Sequence, residues 1–281
     1  MNHHSNDLVR AFIVGCPRSG TTLLQSLLAA HSKVISFPET QFFRRLEPSK
    51  PLFRKLKVIG TRAARARMIR FLGEMDADDL LPMVPRYAVL KTQYIRAFVA
   101  ILDTLARRGD KDCWIEKSPK HLDQIPLITR TVANCRFIHL LREGSASVAS
   151  LIDASRKYGG AWHGPTTIDG CIAEYNHSVE VSRRYIGTKY HCFVRYESVV
   201  QQTDVELERI FDFLGITMEP DLAKRQSEVA AKLIRPEEKW KSNVQAGGVF
   251  AVASKFESLF TEQERSYVQS RLADASAFPA N

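Results

Sequence analysis

A chain of 281 residues with 44% apolar and 25% charged side chains can bury one large core or two small ones, and it is neither disordered nor fibrous in composition. No apolar stretch approaches the roughly 20 residues of a membrane span, so no integral membrane segment is expected. The net charge of +9 points to an anionic partner. Nucleic acid is disfavoured, because no zinc-finger spacing, basic zipper or aromatic–glycine RNA signature is present. The opening MNHHSNDLVR has no apolar h-region, so no secretory signal is expected. Cys16, Cys113, Cys135, Cys171 and Cys192 are scattered without a C-x-x-C pair, which argues against structural zinc and for reduced thiols in the cytoplasm.

Phe12 to Val14 reads as a buried strand, and Leu23, Leu24, Leu27 and Leu28 follow at helical spacing toward His31. Between them lies Gly15-Cys16-Pro17-Arg18-Ser19-Gly20-Thr21-Thr22. Strand, glycine-bounded loop and helix form a phosphate cradle, with loop N–H groups and a helix N-terminus facing an anion. Two glycines alone would equally fit a plain strand–helix turn. Pro17 to Thr22 asks for more, since it places a fixed cation and three hydroxyls in that turn. The spacing matches a P-loop without its lysine: Thr21 stands in the lysine position.

KVISF, residues 33–37, is a short strand stopped by Pro38, and Glu39 sits just past its end. In open α/β sheets ligands collect at the carboxyl ends of strands, which places Glu39 near the phosphate loop. First-turn charge of the next helix is the plainer reading of Glu39. Residues 50–75 are strongly basic, with Arg65, Arg67 and Arg70 among interleaved apolar positions. They read as a helix with a solvated face, or alternatively as a rim for an acidic acceptor or an anionic membrane. A loop at 76–85 precedes an amphipathic helix over 92–108. The 40–110 region reads as a helical insertion that covers the acceptor pocket, within a single domain spanning 1–281.

Cys113-Trp114-Ile115 resumes the sheet and ends in Glu116-Lys117-Ser118-Pro119-Lys120-His121. Lys117 is the candidate cation toward a bound anion, with surface charge as the plain alternative. Ser118 is expected to cap a helix that starts at Pro119. CRFIHLL, residues 135–141, is the central strand, closed by Arg142. A helix of small residues follows from about Gly144 and puts Ser150, eight positions after Arg142, about two turns in. Cation and hydroxyl grip one phosphate from two sides in that arrangement. Residues 166–187 and 203–214 read as helices around the strand 190–196, which ends Arg195-Tyr196-Glu197. Tyr196 fits a nucleotide site or a half-buried core position equally. Lys239-Trp240-Lys241 lies in a polar stretch before a last helix at 261–273.

These stretches together resemble the sulfotransferases that use 3′-phosphoadenylyl sulfate (PAPS). Pro17-Arg18-Ser19-Gly20-Thr21-Thr22 resembles their 5′-phosphosulfate loop, and Arg142 with Ser150 their 3′-phosphate segment. Ala30-His31 and Glu39-Thr40 are similar to the tyrosylprotein sulfotransferase branch and its bacterial relatives. The resemblance implies a P-loop-type three-layer α/β fold around a central, mainly parallel sheet. It implies that Arg18, Ser19, Gly20, Thr21 and Thr22 hold the 5′-phosphate, and that Arg142, Ser150, Tyr196 and Lys239 hold the rest of the nucleotide. Glu39 would be the general base, with Arg18 and Lys117 the cations at the leaving phosphate. His121 is the alternative base, because cytosolic relatives carry a histidine near this strand end where Pro119 stands here. PAPS is then the co-substrate and PAP the product. No metal is expected, since the P-loop lysine and its Mg²⁺ serve polyphosphates. The acceptor is a hydroxyl of a small molecule, sugar, lipid or peptide. A P-loop kinase and a nucleotide-binding module without turnover are the rival readings.

Overall fold

Five apolar runs pair into one parallel sheet in the order β2-β3-β1-β4-β5. They are β1 (Val9–Gly15), β2 (Val34–Ser36), β3 (Cys113–Lys117), β4 (Cys135–Leu141) and β5 (His191–Arg195). The structure is a computed structural model describing residues 8–46, 62–88, 90–235, 238 and 255–279. In chain order the helices are α1 (Thr21–Ala29), α2 (Phe42–Arg45), α3 (Arg62–Glu74), α4 (Lys91–Arg108), α5 (Ile125–Thr131), α6 (Gly144–Tyr158) and α7 (Ile168–Arg183). They continue with α8 (Tyr196–Gln201), α9 (Thr203–Leu214), α10 (Leu222–Leu233), α11 (Phe256–Leu259) and α12 (Glu262–Gln269).

Both faces of the sheet are covered, which is why its strands read as unbroken apolar runs instead of alternating ones. Alternation still decides which cluster each residue joins. Phe12, Trp114 and Phe137 pack with Phe43, Phe98 and Leu102 on one face. Toward the β5 edge of that face, Leu141 and Phe193 meet Val148, Ile152 and Val179. Ala11, Ile13, Ile138 and Val194 turn the other way onto Leu24, Leu27, Leu207 and Phe211. The result is three layers, helix–sheet–helix, as the sequence implies for a P-loop-type fold.

Some local expectations change. The loop expected at 76–85 contains a 3₁₀ turn, Asp78–Met83. Ser118 does not cap the turn that follows it. That turn, Pro119–Gln124, is 3₁₀, and the Ser118 hydroxyl is drawn instead to Glu116. The last helix is shorter than expected and ends at Gln269. Helix α10 has no counterpart in the sequence reading, because its apolar face is thin: Leu222, Ala230 and Leu233 share it with the buried amide Gln226. The basic residues Lys50 to Lys57, and Lys239 with Trp240 and Lys241, lie outside the described residues.

Candidate active site

The carboxyl ends of five parallel strands share one edge, and the site residues gather there because each follows a strand. Gly15 ends β1 at φ +145°, where an added Cβ would stand 2.4 Å from the Leu140 carbonyl oxygen. The loop then turns through Arg18 at φ +72°, a left-handed conformation that costs a non-glycine residue about 1–2 kcal/mol. Gly20 at φ +93° enters α1 with no side-chain cap, and the first turn carries no acidic residue. The helix N-terminus is thus left for an external anion. Ser19, Thr21 and Thr22 are buried in the turn, and Ser19 Oγ has no hydrogen-bond partner among the described residues.

Arg142 and Arg18 share this cleft. Arg142 Nη1 donates to the Arg18 carbonyl at 3.3 Å, and its guanidinium carbon lies 4.4 Å from the centroid of the Tyr196 ring. Arg142 Nε is buried and unpartnered among the described residues. Burial pushes the Arg18 guanidinium below its ordinary value, and the charge of Arg142 adds to that. Two cations held this closely, with a buried donor unused, form a pocket for a multiply charged anion. Tyr196 is a buried core ring and also part of this wall: a Cβ on Gly20 would sit 2.4 Å from its Cδ2. Ser150 is half-buried on α6, one turn before Asp153, whose carboxylate offsets only a small part of the lowering of Arg18. The N-terminus of α6 is already occupied by its own residue: Glu143 accepts from Ser145 N at 2.9 Å and Ala146 N at 2.6 Å. A phosphate here would meet the Arg142 side chain, not that helix end. A cleft of about 500 Å³ opens beside Arg142, bounded by Tyr175, Arg195, Glu197 and Asp274.

Glu39 and Lys117 meet at the ends of β2 and β3. Lys117 Nζ lies 2.6 Å from Glu39 Oε2, with the lysine 1% and the glutamate 13% exposed. A buried charge pair of this kind requires fixed geometry to repay its desolvation. Three groups that the sequence did not single out provide it. Gln41 Nε2 donates to Glu39 Oε1 at 3.0 Å. Arg235 Nη1 donates to the Glu39 carbonyl at 2.7 Å, while its Nη2 lies 2.6 Å from Glu74 Oε2. Glu116 anchors the following residues through Thr40. Arg235 has no local signal, because its partners are remote in sequence. His121 is fully buried with its ring edge-on to Phe43, 5.3 Å between centroids, and its Nδ1 lies 2.8 Å from Glu116 Oε2. That position directs it into the core. Among the described residues no group of three His, Cys, Asp or Glu side chains could hold a metal ion. No described helix is long and apolar enough to cross a membrane.

An uncapped loop at a helix N-terminus facing a second arginine, with a Glu–Lys pair at the neighbouring strand ends, forms a cleft suited to an anion. The model of the sulfotransferase family matches residues 11–220, and the chain belongs to that family. Protein-tyrosine sulfotransferase 2 of Gallus gallus is 28% identical over 218 residues, 76% of this chain and 53% of its own length. The chain thus spans about half the length of that curated relative. The sulfotransferase domain of the Synechococcus PCC 7002 olefin synthase shares the fold with a TM-score of 0.61 at 18% identity, covering 96% of both chains. Mouse sulfotransferase SULT7A1, solved in complex with PAP, aligns with a TM-score of 0.52 at 11% identity, over 94% of this chain and 82% of its own.

Proposed function

We propose that this protein transfers the sulfuryl group of PAPS to an acceptor hydroxyl. The observation that carries the reading is the pairing of Glu39 with Lys117 at the same sheet edge as the Arg18 loop and Arg142. Thr21 in place of a P-loop lysine suits a nucleotide with one 5′-phosphate and no polyphosphate to bridge, so the reaction needs no metal. Arg18, Ser19, Gly20, Thr21, Thr22 and the α1 N-terminus hold the 5′-phosphosulfate. Arg142 and Ser150 take the 3′-phosphate, and Tyr196 and Lys239 complete the nucleotide site.

In the reaction the acceptor oxygen attacks sulfur in line with the phosphate oxygen. One S–O bond forms and the other breaks. The hydroxyl proton passes to the Glu39 carboxylate, and PAP leaves with the electron pair of the broken bond. A hydroxyl is a weak nucleophile until its proton is removed, which is the task of the base. Arg18 and Lys117 meet the charge that grows on the leaving phosphate, and preorganised charge of this kind is commonly the largest contribution to the rate. The named relative makes a phenolic hydroxyl the first acceptor class to test, with sugar, lipid and small-molecule hydroxyls beside it. Five free, buried cysteines suit a reducing compartment such as the cytoplasm.

The test is a screen of these four acceptor classes with sulfur-labelled PAPS, with and without EDTA. Labelled product unaffected by EDTA is expected. Glu39→Ala should lose transfer, by about 10²–10³-fold, while keeping PAP affinity. Stabilisation by ATP with Mg²⁺ but not by PAP would turn the reading toward a kinase.

A further inference from the structure

Strand alternation sends Glu116 and Lys117 to opposite faces of the sheet. Lys117 meets Glu39. Glu116 lies in register with Phe12 and is 1% exposed. A carboxylate buried so deeply is costly unless it is fully hydrogen-bonded. Thr40 Oγ1 and Ser118 Oγ each donate to Glu116 Oε1 at 2.7 Å, whereas Oε2 has no hydrogen-bond partner among the described residues and is met by His121 Nδ1 at 2.8 Å as a charge contact outside hydrogen-bond geometry. Burial pushes this carboxyl toward its neutral form, but His121 and the two hydroxyls outweigh it and hold the group below its ordinary value.

Both hydroxyls are used twice. Thr40 Oγ1 accepts from the Phe42 N–H at 3.1 Å, and Ser118 Oγ accepts from the Gln41 N–H at 2.9 Å. One buried carboxylate thereby reaches the main chain at two successive residues beyond Glu39. Gln41 lies between those contacts at φ +49°, in the left-handed region. A strained residue of this kind persists only where its surroundings over-determine it. Here the over-determination is aimed at the segment that presents Glu39 to Lys117.

We propose that Glu116, backed by His121, is a positioning residue of the transfer reaction: through Thr40 and Ser118 it anchors the strained backbone at residues 41 and 42, so that Glu39 stands against Lys117. The proposal rests on Glu39 acting as the base. It gives His121 a supporting role behind the anchor and gives Thr40 a reason to follow Glu39.

The test uses the full chain with Thr40→Val, Thr40→Ser and Glu116→Gln. Three readouts are taken: backbone hydrogen exchange over 37–46, PAP affinity, and transfer of sulfur label from PAPS to the best acceptor of the screen, or to water. Thr40→Val and Glu116→Gln should speed exchange over 37–46 and lower turnover by about tenfold each, the worth of one charge-assisted hydrogen bond, with PAP affinity unchanged. Thr40→Ser keeps the hydroxyl and should match the parent. Wild-type exchange and turnover in Thr40→Val would overturn the anchor. So would a loss of PAP affinity in step with turnover, which marks general loosening. Glu39→Gln separates the two readings. If it loses transfer while Thr40→Val does not, the anchor fails and the base stands. If it retains transfer, the base reading fails and the positioning role falls with it.

Discussion

Arg142 holds the Arg18 carbonyl and stacks on Tyr196 while keeping a buried Nε in reserve. It therefore both shapes the phosphate loop and offers charge to a ligand. Arg142→Ala should weaken PAP on the order of 10- to 100-fold, and a nucleotide lacking the 3′-phosphate far less. Calorimetric titration of both nucleotides checks this, and equal weakening would assign Arg142 to the loop alone. Gly20 is constrained twice, by φ +93° and by the Tyr196 ring 2.4 Å from where a Cβ would be. Gly20→Ala should cost about 1–3 kcal/mol of stability and displace Tyr196, with PAP affinity falling as well. Thermal unfolding with and without PAP reads both effects.

At the scale of elements, the two helices at the nucleotide edge begin in opposite ways. Helix α1 starts with no side-chain cap and no acid, so its N–H groups remain for a ligand. Helix α6 starts on Glu143, whose carboxylate takes the Ser145 and Ala146 N–H groups and the Ser145 hydroxyl. Glu143→Ala should destabilise the fold by about 1–2 kcal/mol, read as a lower denaturant midpoint at an unchanged slope. The strands were legible in the sequence because burial on both faces leaves long apolar runs, and β4 is found at 135–141 as read. Helix α10 was not legible: the Nε2 of its buried Gln226 donates to Ser26 on α1, a partner 200 residues away. Ser118 misled for a related reason. Its sequence neighbours make it a cap, but its oxygen accepts from the Gln41 N–H, 77 residues away, while its hydroxyl donates to the buried Glu116 carboxylate.

Across the whole molecule, the β4–β5 side of the sheet holds a histidine pair outside the candidate site, His139 buried and His191 half-buried. His139 Nδ1 lies 3.0 Å from Ser182 Oγ, His139 Nε2 lies 2.9 Å from His191 Nδ1, and Tyr185 stacks on His191 at 4.5 Å. Burial holds His139 well below its ordinary value, with His191 adding to this, and burial lowers His191 to about 4. Both groups bind protons more readily in the unfolded chain. Their contribution is therefore complete above the unfolded value near 6.5 and is lost as pH falls toward about 4. The unfolding temperature should drop across that window, and His191→Gln should flatten the drop. Carboxylates such as Glu219, held at about 2, act below it, so the difference between variant and parent isolates the histidines.

By itself the sequence determined the elements and the chemistry available at their ends. Apolar runs mark strands, and Arg18, Glu39, Lys117 and Arg142 each follow such a run, which in a parallel sheet brings them to one edge. Tertiary structure decided which of these residues face each other. The Arg142 contact with Arg18, the Glu39–Lys117 pair, the turning of His121 into the core and the Glu116 and Arg235 supports all join residues 76 or more positions apart, or depend on which face a side chain takes. Periodicity records how a residue sits in its own element. It carries no information on the partner that packing supplies from elsewhere in the chain, and in this protein those distant partners build the site.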